Sequence, residues 1–157
     1  MFSFYMRGMS FVDMAYLSKK NLQGPRIVYC RKKTGQQLTI EVSPEAQEII
    51  DKYSSGSQFL LPIIKLEDGN ERRQYKNAIT MVNRNLKKIG AMVGLTDSLT
   101  TYAMRHSWAT IARNKGIGIS VISEGLGHDN EATTQIYLDS ISTSKVDAAN
   151  RSILDDL

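Results

Sequence analysis

Three residues in the C-terminal half of this sequence, Arg105, His128 and Tyr137, are of the types that attack and hold a phosphodiester without a metal ion. The tyrosine offers a hydroxyl nucleophile, the arginine a permanent cation, and the histidine a hydrogen-bond donor that is neutral or cationic near pH 7. They stand on three short elements joined by tight turns, with Tyr137 nine residues beyond His128. Each also has an ordinary reading. An arginine in an amphipathic helix is more often solvated or ion-paired. A histidine after glycine can simply cap a turn, and a tyrosine is commonly a half-buried aromatic. In favour of chemistry, the guanidinium fork of Arg105 suits two phosphate oxygens. Tyr102 lies one helical turn earlier on the same face, so the two side chains can meet. His106 points elsewhere and reads as a structural histidine bonded to backbone, while Met104, Trp108 and Ile111 read as core. Two histidines without an i,i+4 partner or nearby carboxylates make a metal site unexpected, and no cofactor is expected.

The elements that must position these groups follow from periodicity and turn residues. Phe2 to Leu17 reads as one helix that begins without a cap, as though the chain had been cut inside a larger protein. After Gly24-Pro25, the β-branched runs 26–31 and 37–42 flank Lys32-Lys33-Thr34-Gly35 and predict a hairpin. Strand alternation places Tyr29, Arg31 and Lys33 on one face if the pairing extends that far. Lys33 by itself reads as a solvated turn lysine, and the turn lacks the glycine-rich half of a nucleotide loop. Ser43-Pro44-Glu45 starts a helix to about Tyr53, and Phe59 to Ile64 is a buried strand or loop. Glu71 to Val93 is the longest helix, with an apolar stripe from Tyr75 to Val93. Its other face carries Arg72, Arg73, Lys76, Arg84, Lys87 and Lys88. Helices over 102–114, 120–126 and 131–138 follow, and Ser144 caps a last amphipathic helix to Leu157. The expected class is α+β, mostly α-helical with a small antiparallel β-sheet, in one domain over residues 1–157.

Composition bounds the partners. A hydrophobic content of 41% and a charged content of 23% in 157 residues belong to a globular protein with a real core. No apolar run reaches the roughly 18 residues of a membrane span, and a single cysteine excludes an internal disulfide and suits a reducing cytoplasm. The net charge is +4 and unevenly spread. Seven basic residues face one acid, Asp13, between Arg7 and Lys33, and nine face Asp97 between Arg72 and Lys115. Two basic blocks point to a polyanion, nucleic acid before membrane.

Four motifs in order then carry a resemblance: Lys33-Thr34-Gly35, Arg105-His106-Ser-Trp-Ala-Thr, Leu126-Gly127-His128 and Thr133-Thr134-Gln-Ile-Tyr137. Together they resemble the catalytic core of the tyrosine recombinases, the phage-type integrase family, over nearly the whole chain. The opening segment is similar to that of integrases from bacterial conjugative transposons. The resemblance implies the DNA breaking-rejoining fold and a reaction. The phenol of Tyr137 attacks a DNA phosphodiester, giving a 3′-phosphotyrosine and a free 5′-hydroxyl, and a second 5′-hydroxyl reverses the step without ATP or metal. Arg105 would stabilise charge on the non-bridging oxygens, Lys33 would protonate the leaving 5′-oxygen, and His128 would donate to the phosphate.

Two positions depart from the family pattern. Tyr102 stands where a histidine is usual; it can orient a phosphate oxygen or Tyr137, but a phenol of pKa about 10 is a poor base. Ser10 stands where the first arginine is usual, and Arg7 or, preferably, Arg31 is the substitute. The resemblance further implies double-stranded DNA attachment sites as partners. It implies a synaptic tetramer on DNA, a monomer when free and a bacterial, nucleoid-associated setting in the cytoplasm. It also implies that an amino-terminal DNA-clamping domain is missing and that residues 144–157 form a tail helix packing on a neighbour. The alternatives are a catalytically impaired DNA-binding module of the same fold and a type IB topoisomerase.

Overall fold

The computed structural model describes residues 1–54, 56–96 and 98–138, with side chains as far as Gln135. The expected helix from Ser144 lies outside them. In chain order come α1 (Phe2–Tyr5), α2 (Phe11–Tyr16), a 3-10 turn (Lys19–Asn21), β1 (Leu22–Gln23), β2 (Arg26–Cys30) and β3 (Gln37–Glu41). The helices α3 (Pro44–Tyr53), α4 (Glu71–Met92), α5 (Ala103–Asn114), α6 (Ile119–Leu126) and α7 (Glu131–Leu138) follow.

The single opening helix expected from Phe2 to Leu17 is two helices. Arg7 and Gly8 break it, with φ of 54° and 69°, a left-handed pair that a regular helix cannot contain. The cause is a close approach, since a Cβ on Gly8 would stand 2.9 Å from the Cα of Arg105. The chain restarts at Ser10, whose Oγ accepts from the Asp13 amide at 3.2 Å and donates to its carboxylate at 2.6 Å. That is a helix N-cap.

The sheet is antiparallel in the order β1-β2-β3, with Ile27 opposite Ile40 and Tyr29 opposite Leu38. Alternation buries those four residues, while Arg26, Cys30, Gln37, Thr39 and Glu41 are exposed. Their face packs on Phe2, Met6, Met9 and Leu17 from the opening segment and on Ala46 and Ile50 of α3. β1 was not expected, because two residues are too few to show alternation. β2 ends at Cys30, so the pairing does not extend to Lys33. The turn is closed instead by Arg31 N–H donating to the Gln36 carbonyl at 2.9 Å and Gly35 N–H to the Arg31 carbonyl at 2.8 Å. Phe59 to Ile64 is irregular, with one bridge to Ser18, and buries Phe59, Leu60, Leu61 and Ile64.

α3 starts as expected, with Ser43 Oγ accepting from the Ala46 amide and Pro44 in the first turn. α4 buries less than its apolar stripe suggests. Val82 and Leu86 border a cleft of about 350 Å³ shared with Phe2, Phe11 and Met104, whereas Ile89 and Val93 are 50% and 66% exposed. In α5 the inward stripe is Arg105, Ala109 and Ala112, at i, i+4 and i+7. The expected core residues of this helix are only partly so: Met104 and Trp108 are half-buried and Ile111 is exposed. Ala109 and Ala112 pack on Ile122 and Leu126 of α6. α6 ends at Gly127, a left-handed cap with φ 65°.

Candidate active site

Arg105 shares the inward face of α5 with Ala109 and Ala112 and reaches the chain's opening turn at Gly8. Arg105 is 3% exposed. Its Nη1 donates to the Gly8 carbonyl at 3.0 Å, and its Nη2 reaches the Leu126 carbonyl and, at 3.0 Å, Nε2 of His128. Gly8 is the residue whose missing Cβ makes room for this arginine.

His128 is fixed from both sides. Its backbone N–H donates to the Ser123 carbonyl at 3.0 Å, tying it to the end of α6. Its Nδ1 lies 2.7 Å from Thr134 Oγ1 on α7, and Thr134 is fully buried. A guanidinium can only donate, so Nε2 is the acceptor and Nδ1 carries the proton. Burial, followed by the charges of Arg105, Arg31 and Lys33, lowers the imidazole from 6.5 to about 4. The ring is therefore neutral at pH 7, and both of its nitrogens already have partners. Donation from His128 to a phosphate, expected from the resemblance, requires this arrangement to change.

Arg31 arrives from the other side of the same turn. It is 4% exposed, and its Nη1 donates to the Gly127 carbonyl, which Thr34 Oγ1 also approaches at 3.4 Å. A Cβ on Gly127 would stand 2.7 Å from Arg31 Cδ and 2.9 Å from Leu38 Cδ1. Only glycine leaves the hairpin close enough for this contact. Arg105 and Arg31 thus hold the consecutive carbonyls of Leu126 and Gly127, immediately before His128.

The remaining expected residues divide. Lys33 is exposed in the turn, and its charge is felt at His128. Lys32 faces away: its Nζ sits 4.7 Å from the centroid of the Tyr16 ring, and its N–H donates to Asp13 Oδ1 at 2.8 Å. Ser10 serves as the α2 cap. Arg7 is half-buried and lies within electrostatic reach of Tyr29, on which Arg105 and Arg31 also act. Tyr102 is the N-cap residue of α5, 37% exposed, and its ring meets His106 edge-on at 5.0 Å. His106, read as structural, is exposed, and burial of part of its ring and the nearby Arg105 charge lower its pKa. Arg72, Arg73, Lys76 and Arg84 are all exposed on α4. Tyr137 lies on α7, and its side chain is outside the described ones.

Sequence reasoning passed over Asp13, Tyr29 and Thr134. Asp13 is 3% exposed and joins the α2 cap to the hairpin turn. Its signal was present, since it is the lone acid among seven basic residues. Tyr29 is buried on β2, and burial together with the Asp13 charge raises its pKa well above the usual phenol value. Thr134 lay inside the last of the four motifs without a role.

Comparison with known proteins gives the family of the chain. The model of the phage integrase family matches residues 4–143. The chain belongs to that family. Among curated members, tyrosine recombinase XerA of Pyrococcus horikoshii is 34% identical over 105 residues, covering 67% of this chain and 36% of the relative. Tyrosine recombinase XerC of Rickettsia typhi is 28% identical over 137 residues, covering 85% of this chain and 43% of the relative. The chain thus spans less than half the length of these relatives.

Solved structures of family members share the fold. A crystal structure of XerA recombinase superposes with a TM-score of 0.65 at 18% identity, covering 96% of this chain and 53% of that one. The Tn1549 transposon integrase, solved with transposon right end DNA, gives 0.63 at 17% identity, covering 98% and 57%. The mostly helical α+β architecture with its small antiparallel sheet is therefore that of tyrosine recombinase catalytic domains. No helix among the described residues of this family member is long and apolar enough to cross a membrane.

Proposed function

We propose that this chain is the catalytic domain of a site-specific tyrosine recombinase that cleaves and rejoins DNA through a 3′-phosphotyrosine, for integration or excision of a mobile element. One observation carries the reading. Arg105 from α5 and Arg31 from the hairpin converge on three consecutive residues, Leu126, Gly127 and His128, just before the helix that carries Tyr137. The names of the curated relatives and the DNA-bound integrase among the neighbours agree with it.

In the proposed reaction the Tyr137 oxygen attacks phosphorus as its proton passes to solvent, the P–O5′ bond breaks, and Lys33 protonates the departing 5′-oxygen. A 5′-hydroxyl then attacks the phosphotyrosine, the P–O(Tyr) bond breaks, and the phenol is regenerated. Arg105 and Arg31 stabilise the charge that builds on the non-bridging oxygens. Arg31 takes the part of the missing first arginine because it is buried on the same turn as Arg105, whereas Arg7 is held in a left-handed bend. Tyr102 is accessible enough to orient a phosphate oxygen. The exposed basic face of α4 binds the DNA backbone. The working assembly is a synaptic tetramer on attachment-site DNA in a bacterial, nucleoid-associated setting, formed from chains that are monomers when free.

A nicked suicide duplex carrying the attachment site tests this directly. A covalent protein–DNA adduct that disappears in Tyr137→Phe is the expected result. Ser10 favours a second reading, a DNA-binding module that has lost cleavage, because its side chain is spent on the α2 cap. Binding without any adduct from the full-length protein supports that module. Relaxation of supercoiled DNA with no site preference points to a type IB topoisomerase.

A further inference from the structure

Thr134 has no part in the reaction as described, yet its hydroxyl is among the most deeply placed polar groups of the described residues. It is 0% exposed and lies 2.7 Å from Nδ1 of His128. Arg105 Nη2 holds the opposite nitrogen, Nε2, at 3.0 Å. Since the guanidinium has only donors, Nε2 must present its lone pair, and Nδ1–H must donate to the threonine oxygen. The reverse assignment would set N–H against N–H across 3.0 Å in a buried site.

We infer that Thr134 is a positioning residue. It holds the His128 ring in the Nδ1–H tautomer and so ties α7, the helix whose backbone carries Tyr137, to the Arg105 guanidinium. The chain of contacts runs through buried residues, from the Gly8 carbonyl by way of Arg105 and His128 to Thr134. Each member has its rotamer set by the next. A shift of α7 must rotate the imidazole or break the bond at Nδ1. Removing the hydroxyl takes away the acceptor that Nδ1–H faces and loosens the link from the ring to α7, so the nucleophile's helix loses registration against the cation that holds the phosphate. An apolar isostere fills the space and cannot accept. Thr134 touches no reacting atom and acts through His128.

The inference rests on the recombinase reading for its effect on cleavage, and the test separates the two. Nitrogen-15 spectra of the histidine rings in the DNA-free full chain at pH 7 should show His128 protonated at Nδ1, with that proton slow to exchange. In Thr134→Val the proton should exchange rapidly, and Thr134→Ser should restore it. On the nicked duplex, Thr134→Val should slow adduct formation by about 10²-fold, the scale of a small misplacement of reacting groups, and Thr134→Ser should recover most of it. A wild-type ring protonated at Nε2 overturns the inference. So does a folded Thr134→Val chain with an unchanged ring signal and adduct rate. Absence of any wild-type adduct defeats the recombinase reading instead, while the ring signal still decides the hydrogen bond.

Discussion

Arg105 and Arg31 each answer a different question about legibility. The site motif around Arg105 could be read directly, and so could its fork chemistry. Its burial depends on Gly8, where a Cβ would stand 2.9 Å from the Arg105 Cα, and no local pattern in α5 carries that. Arg31 was expected to share a strand face with Tyr29; β2 stops one residue short of it, at Cys30, although both side chains are buried. What alternation could not give is the Gly127 carbonyl, a partner 96 residues away. Arg31→Ala should therefore lower adduct formation by about 10²–10³-fold, as loss of an electrostatic donor does, while Arg7→Ala should cost about tenfold or less. The opposite ranking in a quenched-flow or gel assay would make Arg7 the substitute. His128 supplies a pH dependence with a definite sign. Its folded value, about 4, lies below the ordinary 6.5, so between those values the unfolded chain binds more protons. The stability it contributes is present above pH 6.5 and is lost as pH falls through 4. Urea midpoints measured between pH 7 and 4 should fall, and should fall less steeply in His128→Gln.

Among the elements, regular helices and the hairpin were readable from their periods, caps and turn residues: Ser43-Pro44 began α3 and Gly116 closed α5. The opening segment misled because Phe4, Phe11, Met14 and Ala15 keep a helical spacing across a break. The break at Arg7-Gly8 exists for a tertiary reason, the passage of Arg105 beneath it, and no local pattern carries that. Gly8→Ala should consequently be costly, because its Cβ would lie 2.9 Å from backbone at φ 69°. About 2–4 kcal/mol is expected from denaturant midpoints. Gly24→Ala has a similar φ of 58° with nothing within 4 Å, and should lose only the left-handed penalty, about 1–2 kcal/mol. Equal losses at the two glycines would show that packing against α5 contributes nothing.

For the molecule as a whole, the uneven charge seen in the sequence reappears as geometry, with Arg72, Arg73, Lys76 and Arg84 exposed on one helix. Replacing all four by alanine should flatten the salt dependence of DNA binding. In a plot of log K against log salt the slope should drop by up to about 0.9 for each phosphate no longer neutralised. The site also has an unusual span. Arg105 meets Gly8 across 97 residues of chain, and Arg31 meets Gly127 across 96. Pairs that distant close late, after local helices and the hairpin have formed. A growing polypeptide that has not yet emerged past His128 lacks both the carbonyl that holds Arg31 and the imidazole that Arg105 grips. On the proposed reading, a nascent chain that stops short of His128 has no assembled site, and the site forms only once the opening turn at Gly8 and the turn at Gly127 have both been gripped.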